Sequence, residues 1–331
     1  MIEDDMKLLS RFYSDFKYYV GNRIVGYDDI FKKMFIALLT EGNILLEGPP
    51  GVGKTSMVKV FADFLSLEYS RIQFTPDLMP LDIIGSNIIQ QGESGEKFFK
   101  FYKGPVFANI VLGDEINRAT PKTQSAFMES MEEKRITFLG KEYPLPVPFM
   151  VIATQNPIEL EGTYPLPEAQ IDRFFMKLYF DYPDFSMLKD IIIKNEKPFD
   201  NRKPPGREKT DEILKSIRKL EPEVVMIDEI KSFITKIVVS THPLHSSVAL
   251  VKKYILYGAS PRAGIALARA CKWNALINDR MNVSFEDVEE LVFDILNHRV
   301  ILNFEGESEN IDRKLLISQI VNAVKKEYGV R

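Results

Sequence analysis

Two hydrophobic patterns divide the chain. Up to residue 182, short continuous apolar runs alternate with stretches whose apolar residues recur every three or four positions; beyond it only the second pattern persists. The short runs are Ile44-Leu45-Leu46, Ser70 to Phe74, Asn109 to Gly113, Phe149 to Ala153 and Met176 to Phe180. Their length and apolar character predict strands. Helical spacing covers residues 7–20, through Leu8, Leu9, Phe12, Phe16 and Tyr19, and residues 28–40, with Asp28 as N-cap. Met57, Val58, Phe61, Ala62 and Leu65 predict another helix, and Thr120-Pro121 begins one over residues 122–133 with threonine as N-cap and proline at the first position. Residues 86–104 read as a hairpin or loop around Gly92 to Gly95 that projects from the domain, and residues 134–149 as a hairpin turning at Gly140. The first of these carries Phe98, Phe99, Phe101 and Tyr102, which either touch a substrate or neighbouring subunit or pack on their own domain.

From Tyr182-Pro183 onward helices are expected near 184–196, 208–220, 228–240, 246–257, 261–278, 285–297 and 311–328, with a polar, proline-rich connector from Asn201 to Gly206. Ser260-Pro261 marks one helix start, and Ser284 with Asp287 resembles a capping box at another. The expected division is therefore an α/β domain over 1–182 and an all-helical domain over 183–331.

Between the first strand and the helix after it lies Gly48-Pro49-Pro50-Gly51-Val52-Gly53-Lys54-Thr55, followed by Ser56. This is G-x-x-x-x-G-K-[ST] in strand–loop–helix context, the signature of a phosphate-binding loop. Its glycines let backbone N–H groups wrap the phosphates, and the helix N-terminus adds its positive dipole end. Lys54 would reach the β- and γ-phosphates of ATP, and the Thr55 hydroxyl would ligate Mg²⁺. Upstream, Ile24-Val25-Gly26 is a small apolar turn of the kind that packs on adenine in many such ATPases; a plain hydrophobic staple before a helix is the other reading.

The third strand ends in Asp114-Glu115. An extended chain would turn these side chains to opposite sides, so that Asp114 supports the Mg²⁺ shell and Glu115 polarises a water beside the γ-phosphate. Asn156, just past the fourth strand, could hold that water and the γ-phosphate through its amide; the alternative is a plain Asn-Pro turn. Arg173, taken alone, reads as a surface charge ahead of the fifth strand.

Composition narrows the field. Lys+Arg 43 against Asp+Glu 47 gives a net charge of −4, which argues against a protein that coats nucleic acid. Hydrophobic content of 45% with 27% charged residues is ordinary for a globular protein. The single cysteine, Cys271, excludes an intrachain disulfide. Met1-Ile2-Glu3-Asp4-Asp5 lacks a signal-peptide layout and no apolar run has membrane-spanning length, so the cytoplasm is the expected compartment. His242, His245 and His298 do not form a metal site: Pro243 separates the first pair and no cysteine or acidic cluster joins them.

Taken together, the motifs resemble those of the AAA+ ATPases, and within them the MoxR family. The resemblance rests on GPPGVGKT (48–55), TPDLMPLDIIG (75–85), GPVFANIVLGDEINRATPKTQSAFMESMEE (104–133), VIATQNPIELEGTYPLPEAQIDRF (151–174) and GASPRAG (258–264). It implies a five-stranded parallel sheet flanked by helices, a helical lid, and ATP at their junction. Gly53, Lys54 and Thr55 match the Walker A motif, Asp114 and Glu115 Walker B, and Asn156 sensor 1. Arg173 lies where relatives place the arginine finger that enters a neighbour's site, and Arg262 matches sensor 2. The hairpins near 86–103 and 134–148 match the insertions of this clade. The family further implies a hexameric homo-oligomeric ring, a partner with a von Willebrand factor A-type domain, and a protein client that is remodelled or matured, including by metal-centre insertion. One position departs from the pattern: Gly113 precedes the Walker B aspartate where a bulkier residue or alanine is usual, with no chemical consequence expected.

Two other functions compete. A nucleic-acid motor is suggested because MCM helicases share the insertions, but Lys97, Lys100 and Lys103 against Glu93 and Glu96 make a weak basic surface. A nucleotide-gated scaffold would bind ATP without turning it over, and the intact Glu115, Asn156 and Arg173 argue against that.

Overall fold

The computed structural model describes residues 2–91, 96–156, 162–196 and 203–329. The Gly92 to Gly95 turn, residues 157–161 after Asn156, and Asn201-Arg202 of the connector lie outside the described residues. Helices α1 (Ile2–Gly21) and α2 (Asp28–Leu39) precede β1 (Ile44–Glu47) and α3 (Lys54–Leu65). Strand β2 (Tyr69–Gln73) leads through the short α4 (Pro80–Ile84) into a hairpin of β3 (Gly85–Gln91) and β4 (Lys97–Lys103). Then come β5 (Ile110–Asp114), α5 (Pro121–Glu133), a second hairpin of β6 (Arg135–Phe138) and β7 (Lys141–Pro144), β8 (Met150–Gln155), α6 (Glu168–Ile171) and β9 (Met176–Tyr179). The rest of the chain is helical apart from one short strand pair, so it is not the all-helical region expected: α7 (Phe185–Asn195), α8 (Arg207–Ile217), α9 (Asp228–Ser240), α10 (Ala249–Tyr254), α11 (Pro261–Ile277), α12 (Phe285–Leu296), α13 (Phe304–Ser308) and α14 (Arg313–Tyr328).

The five expected strands form one parallel sheet in the order β2-β5-β8-β1-β9. Successive residues alternate between its two buried faces, which is why the strands read as continuous apolar runs. Ile44, Leu46, Ile110, Leu112 and Ile152 face α1, α2 and α3, where Phe12, Phe16, Phe35, Phe61 and Phe64 pack together. Leu45, Val111, Val151 and Ala153 face Phe74, Phe127 and Phe174. The first of these cores does not stop at the sheet. It runs on through Ile213, Ile237, Leu267, Trp273, Leu291 and Ile320, so the α/β and helical parts share one apolar interior.

Three boundaries differ from expectation. Helix α1 starts at Ile2, with Glu3, Asp4 and Asp5 in its first turn, where carboxylates complement the dipole. Tyr27 rather than Asp28 occupies the N-cap of α2, and Asp28 stands at its first position. The helix expected over 246–257 is only α10; its chain continues as β10 (Ile255–Tyr257), which pairs antiparallel with β11 (Ile301–Leu302).

Both hairpins form in the expected places. The aromatic cluster of the first divides between its two readings. Phe101 stacks on Tyr143 of the second hairpin at 4.2 Å and lies 5.2 Å from Phe138, whereas Phe98, Phe99 and Tyr102 are exposed. Among the described residues no helix is long and apolar enough to cross a membrane.

Candidate active site

The ends of β1, β5 and β8 open on one cleft, at the carboxyl edge of the sheet where α/β folds bind ligands. Its phosphate-sized half, about 280 Å³, is lined by Pro50, Gly51, Gly53, Lys54, Thr55, Ser56, Asp114, Glu115, Thr154 and Asn156. A larger apolar half of about 610 Å³ shares the loop with it and adds Ile24, Val25, Tyr27, Val52, Tyr182 and Leu188. Nucleotide shape follows this division: a flat apolar base on one side and charged phosphates on the other.

Local backbone chemistry builds the loop. Gly53, at φ +89°, is the N-cap of α3, a left-handed conformation that side chains disfavour. At Gly48 a Cβ would lie 2.5 Å from the carbonyl oxygen of Phe180, so only glycine lets the end of β1 pass β9. The Lys54 ammonium donates to the Gly48 carbonyl at 2.5 Å. Burial holds its pKa below the ordinary lysine value, against the opposing pull of Asp114, Glu115 and Glu47.

The two carboxylates are organised by a threonine. The Thr154 hydroxyl donates to Asp114 Oδ1 at 2.6 Å and accepts the Glu115 backbone N–H at 2.9 Å. Thr55 Oγ1 lies 3.4 Å from Asp114 Oδ2. Strand alternation does not orient Glu115: β5 ends at Asp114, and Glu115 turns into the left-handed region at φ 59°, ψ 50°. For a non-glycine residue this is strain of the sort that collects at functional sites. Gln73 Nε2 donates to Glu115 Oε2 at 2.8 Å and Arg118 Nη1 lies 3.3 Å from the same oxygen. Gly113 also acquires a reason. A Cβ there would meet the Phe127 ring at 2.9 Å and Phe74 at 3.2 Å, so these rings fill the space that a larger residue would take.

Lys54, Thr55, Ser56, Asp114, Glu115 and Asn156 are thus brought together, with Ile24 and Val25 on the apolar side. Arg173 and Arg262 do not line either half. Arg173 Nη1 pairs with Glu132 Oε2 at 2.7 Å; Arg262 lies 3.4 Å from Glu132 and 3.5 Å from Asp172. Asp172 also accepts from Ser260 and from the buried Arg299. Sequence reasoning missed Arg71, Gln73 and Thr154. A signal existed for the first two: arginine and glutamine alternate with Ile72 and Phe74 on one face of a strand that ends at the carboxyl edge. Their pairing with β5 is set by a long-range register.

Comparison with known proteins identifies the relatives. Residues 43–176 match the ATPase family associated with various cellular activities (AAA), and residues 248–320 match the AAA lid domain. Chaperone MoxR1 of Mycobacterium tuberculosis is 39% identical over 305 residues, covering 91% of this chain and 78% of that protein. The chain belongs to the MoxR family of AAA+ ATPases. Protein MoxR of Methylorubrum extorquens is 28% identical, covering 86% of this chain and 85% of that protein. A crystal structure of a candidate ATPase from Cytophaga hutchinsonii superposes with a TM-score of 0.87 at 40% identity, covering 97% of this chain and 96% of the other. A MoxR-type ATPase hydrolyses ATP, and the two-part cleft is where this chain has the groups to bind the nucleotide.

Proposed function

We propose that this MoxR-family ATPase is a magnesium-dependent remodelling motor, assembled as a hexameric ring in the cytoplasm, whose cleft is completed by the next subunit. The observation that carries this reading is the separation of Arg173 and Arg262 from their own chain's cleft, while every other hydrolytic group lies inside it. Lys54 would meet the β- and γ-phosphates, Glu115 would polarise the attacking water, and Asn156 would hold that water against the γ-phosphate. Arg173 would leave Glu132 for the γ-phosphate of the neighbour, with Arg262 beside it.

Magnesium suits the oxygens present. The Thr55 hydroxyl and the Asp114 carboxylate are hard ligands, and among the described residues no group of three or more His, Cys, Asp or Glu could cage a metal alone. That fits an ion that draws most of its ligands from phosphate and water. When bound, it would neutralise charge on the phosphates.

The reading extends to clients and partners by analogy with the family. A protein with a von Willebrand factor A-type domain would couple the ring to a client whose maturation, including metal-centre insertion, it assists. The exposed Ile89, Phe99, Tyr102 and Leu139 of the two hairpins support a protein-binding role for that surface.

The test is ATP turnover per subunit from nanomolar to tens of micromolar protein, with Arg173→Ala in parallel. The parent should rise steeply with concentration. The variant should bind ATP and stay at a flat baseline about 10³-fold or more below it. A variant as active as the parent would remove the finger role, and activity independent of concentration in a demonstrably monomeric protein would remove the shared site.

A further inference from the structure

Asp114 is already occupied by a cation from its own chain. Arg71 and Gln73 lie on one face of β2, the edge strand, and β2 pairs with β5 so that Gln73 stands opposite Asp114. From there the Arg71 guanidinium reaches Asp114 Oδ2 through Nε at 3.0 Å and Nη2 at 2.7 Å. The other oxygen, Oδ1, is taken by Thr154. The oxygen held by Arg71 is the one nearest Thr55, on the side where a divalent ion would sit. Among the described residues Lys54 is the one cation that lines that half of the cleft, and its ammonium is engaged with Gly48, whereas Arg71 reaches Asp114 from β2 beside it.

A guanidinium and a divalent ion repel each other, and one carboxylate oxygen cannot satisfy both at full strength. Arg71 is also placed to leave: its side chain is 47% exposed on an edge strand, and its other side-chain hydrogen bond, from Nη2 to Gln73 Oε1, leaves the Gln73 amide nitrogen on Glu115. We propose that Arg71 is a built-in counter-ion that stands in for magnesium on Asp114, and that loading of magnesium with the nucleotide must displace it. It is a positioning residue that sets the magnesium concentration at which the cleft becomes competent. Glu115 is held in parallel by Gln73 and Arg118, so each of the two carboxylates has a partner within the chain. This inference rests on the magnesium–ATP reading of the cleft.

The experiment measures binding rather than turnover, with the full chain and a fluorescent, slowly hydrolysed ATP analogue titrated at a series of free Mg²⁺ concentrations. The parent should bind weakly in EDTA and tighten as Mg²⁺ rises. In Arg71→Met, the Mg²⁺ needed for half-maximal tightening should fall by about three- to tenfold, the worth of one charge-assisted contact at a half-exposed site. Affinity in EDTA should stay within about twofold of the parent, because Arg71 touches the carboxylate rather than the loop. Arg71→Lys keeps the charge but loses the two-pronged grip, so its requirement should fall between the two. This conservative variant carries the test if Arg71→Met does not fold.

An unchanged or higher Mg²⁺ requirement in both variants would overturn the proposal. Binding weakened equally with and without Mg²⁺ would do so too, by making Arg71 a structural residue. A parent that binds the analogue with no magnesium dependence would remove the underlying reading of the cleft, and the role of Arg71 with it.

Discussion

The cleft and the arginine patch contain the same kinds of group, yet they are built differently. In the cleft, Asp114 and Glu115 are fixed by contacts of 2.6–2.9 Å from Thr154 and Gln73, and Glu115 sits on a strained backbone that only a well-packed surround can hold. In the patch, Arg262 lies 3.4 and 3.5 Å from two acidic partners and is 54% exposed. Arg173 is bonded more closely, at 2.7 Å, but to Glu132, which is itself 37% exposed. Pairs that are a third to a half exposed, as these are, contribute little to stability. Groups proposed to act in place are clamped, and groups proposed to act elsewhere are held by partners they can leave.

The strongest way to break this comparison is to damage each region in a separate chain. Glu115→Gln should bind ATP and lose turnover by about 10³-fold or more, and Arg173→Ala should lose a similar amount. Mixed together, the two inactive proteins should regain measurable activity, because some interfaces then pair an intact cleft with an intact arginine. A mixture as inactive as its parts would mean that both residues serve the same chain.

A smaller effect should come from the buried support of the patch. Arg299 is 5% exposed, donates to Asp172, and also donates to the carbonyls of Phe174 and Ile295. Burial pushes its pKa down to about 10, with Asp172 opposing, so it remains a cation at neutral pH. Arg299→Met should cost about 1.5–3 kcal/mol in chemical denaturation, because it takes a charged donor away from the buried carbonyls of Phe174 and Ile295. A loss below about 1 kcal/mol would mean that this side of the patch is as loosely held as Arg262.

The smallest effect concerns pH. His298 is buried beside Arg299, with Nε2 on the Phe174 carbonyl, and burial holds its pKa well below the ordinary value, helped by the Arg299 charge. The unfolded chain takes up a proton near pH 6.5 where the folded chain does not. Its contribution is therefore flat above that pH, and stability should fall as pH drops, by up to about 1.4 kcal/mol per unit. Denaturation midpoints between pH 7.5 and 5.5 would show it, and His298→Gln should flatten that part of the slope. An identical slope in the variant would assign the effect to other groups.

What was legible in the sequence was local. The phosphate loop declares itself because its glycines, Lys54 and Thr55 are contiguous and act through their own backbone. The strands are legible because burial on both faces leaves no polar residue to interrupt them. What could not be read depends on partners distant along the chain. Arg71 and Gln73 matter through a register with β5, and Thr154 through an aspartate forty positions earlier. The strands β10 and β11 are too short for any period to show, so helical spacing ran straight through the first of them. Glu115 carried the right chemistry but not the right geometry, because nothing local announces that the strand stops at Asp114.

The shared apolar interior has a consequence for how such chains can diversify. Helix α1 packs against α8 and α11 as well as α3, and Lys33 of α2 is paired with the buried Asp294 of α12 at 2.7 Å. The seam between the family's two matched regions is therefore not a seam in the packing. Recombination between relatives at residue 182 would pair one parent's α1 and α2 with the other's α8, α11 and α12, and mismatched volumes there cost stability from both sides. A hybrid should keep more of its stability when its first forty residues come from the same parent as its last hundred and fifty, whereas the hairpins between them take no part in that shared interior.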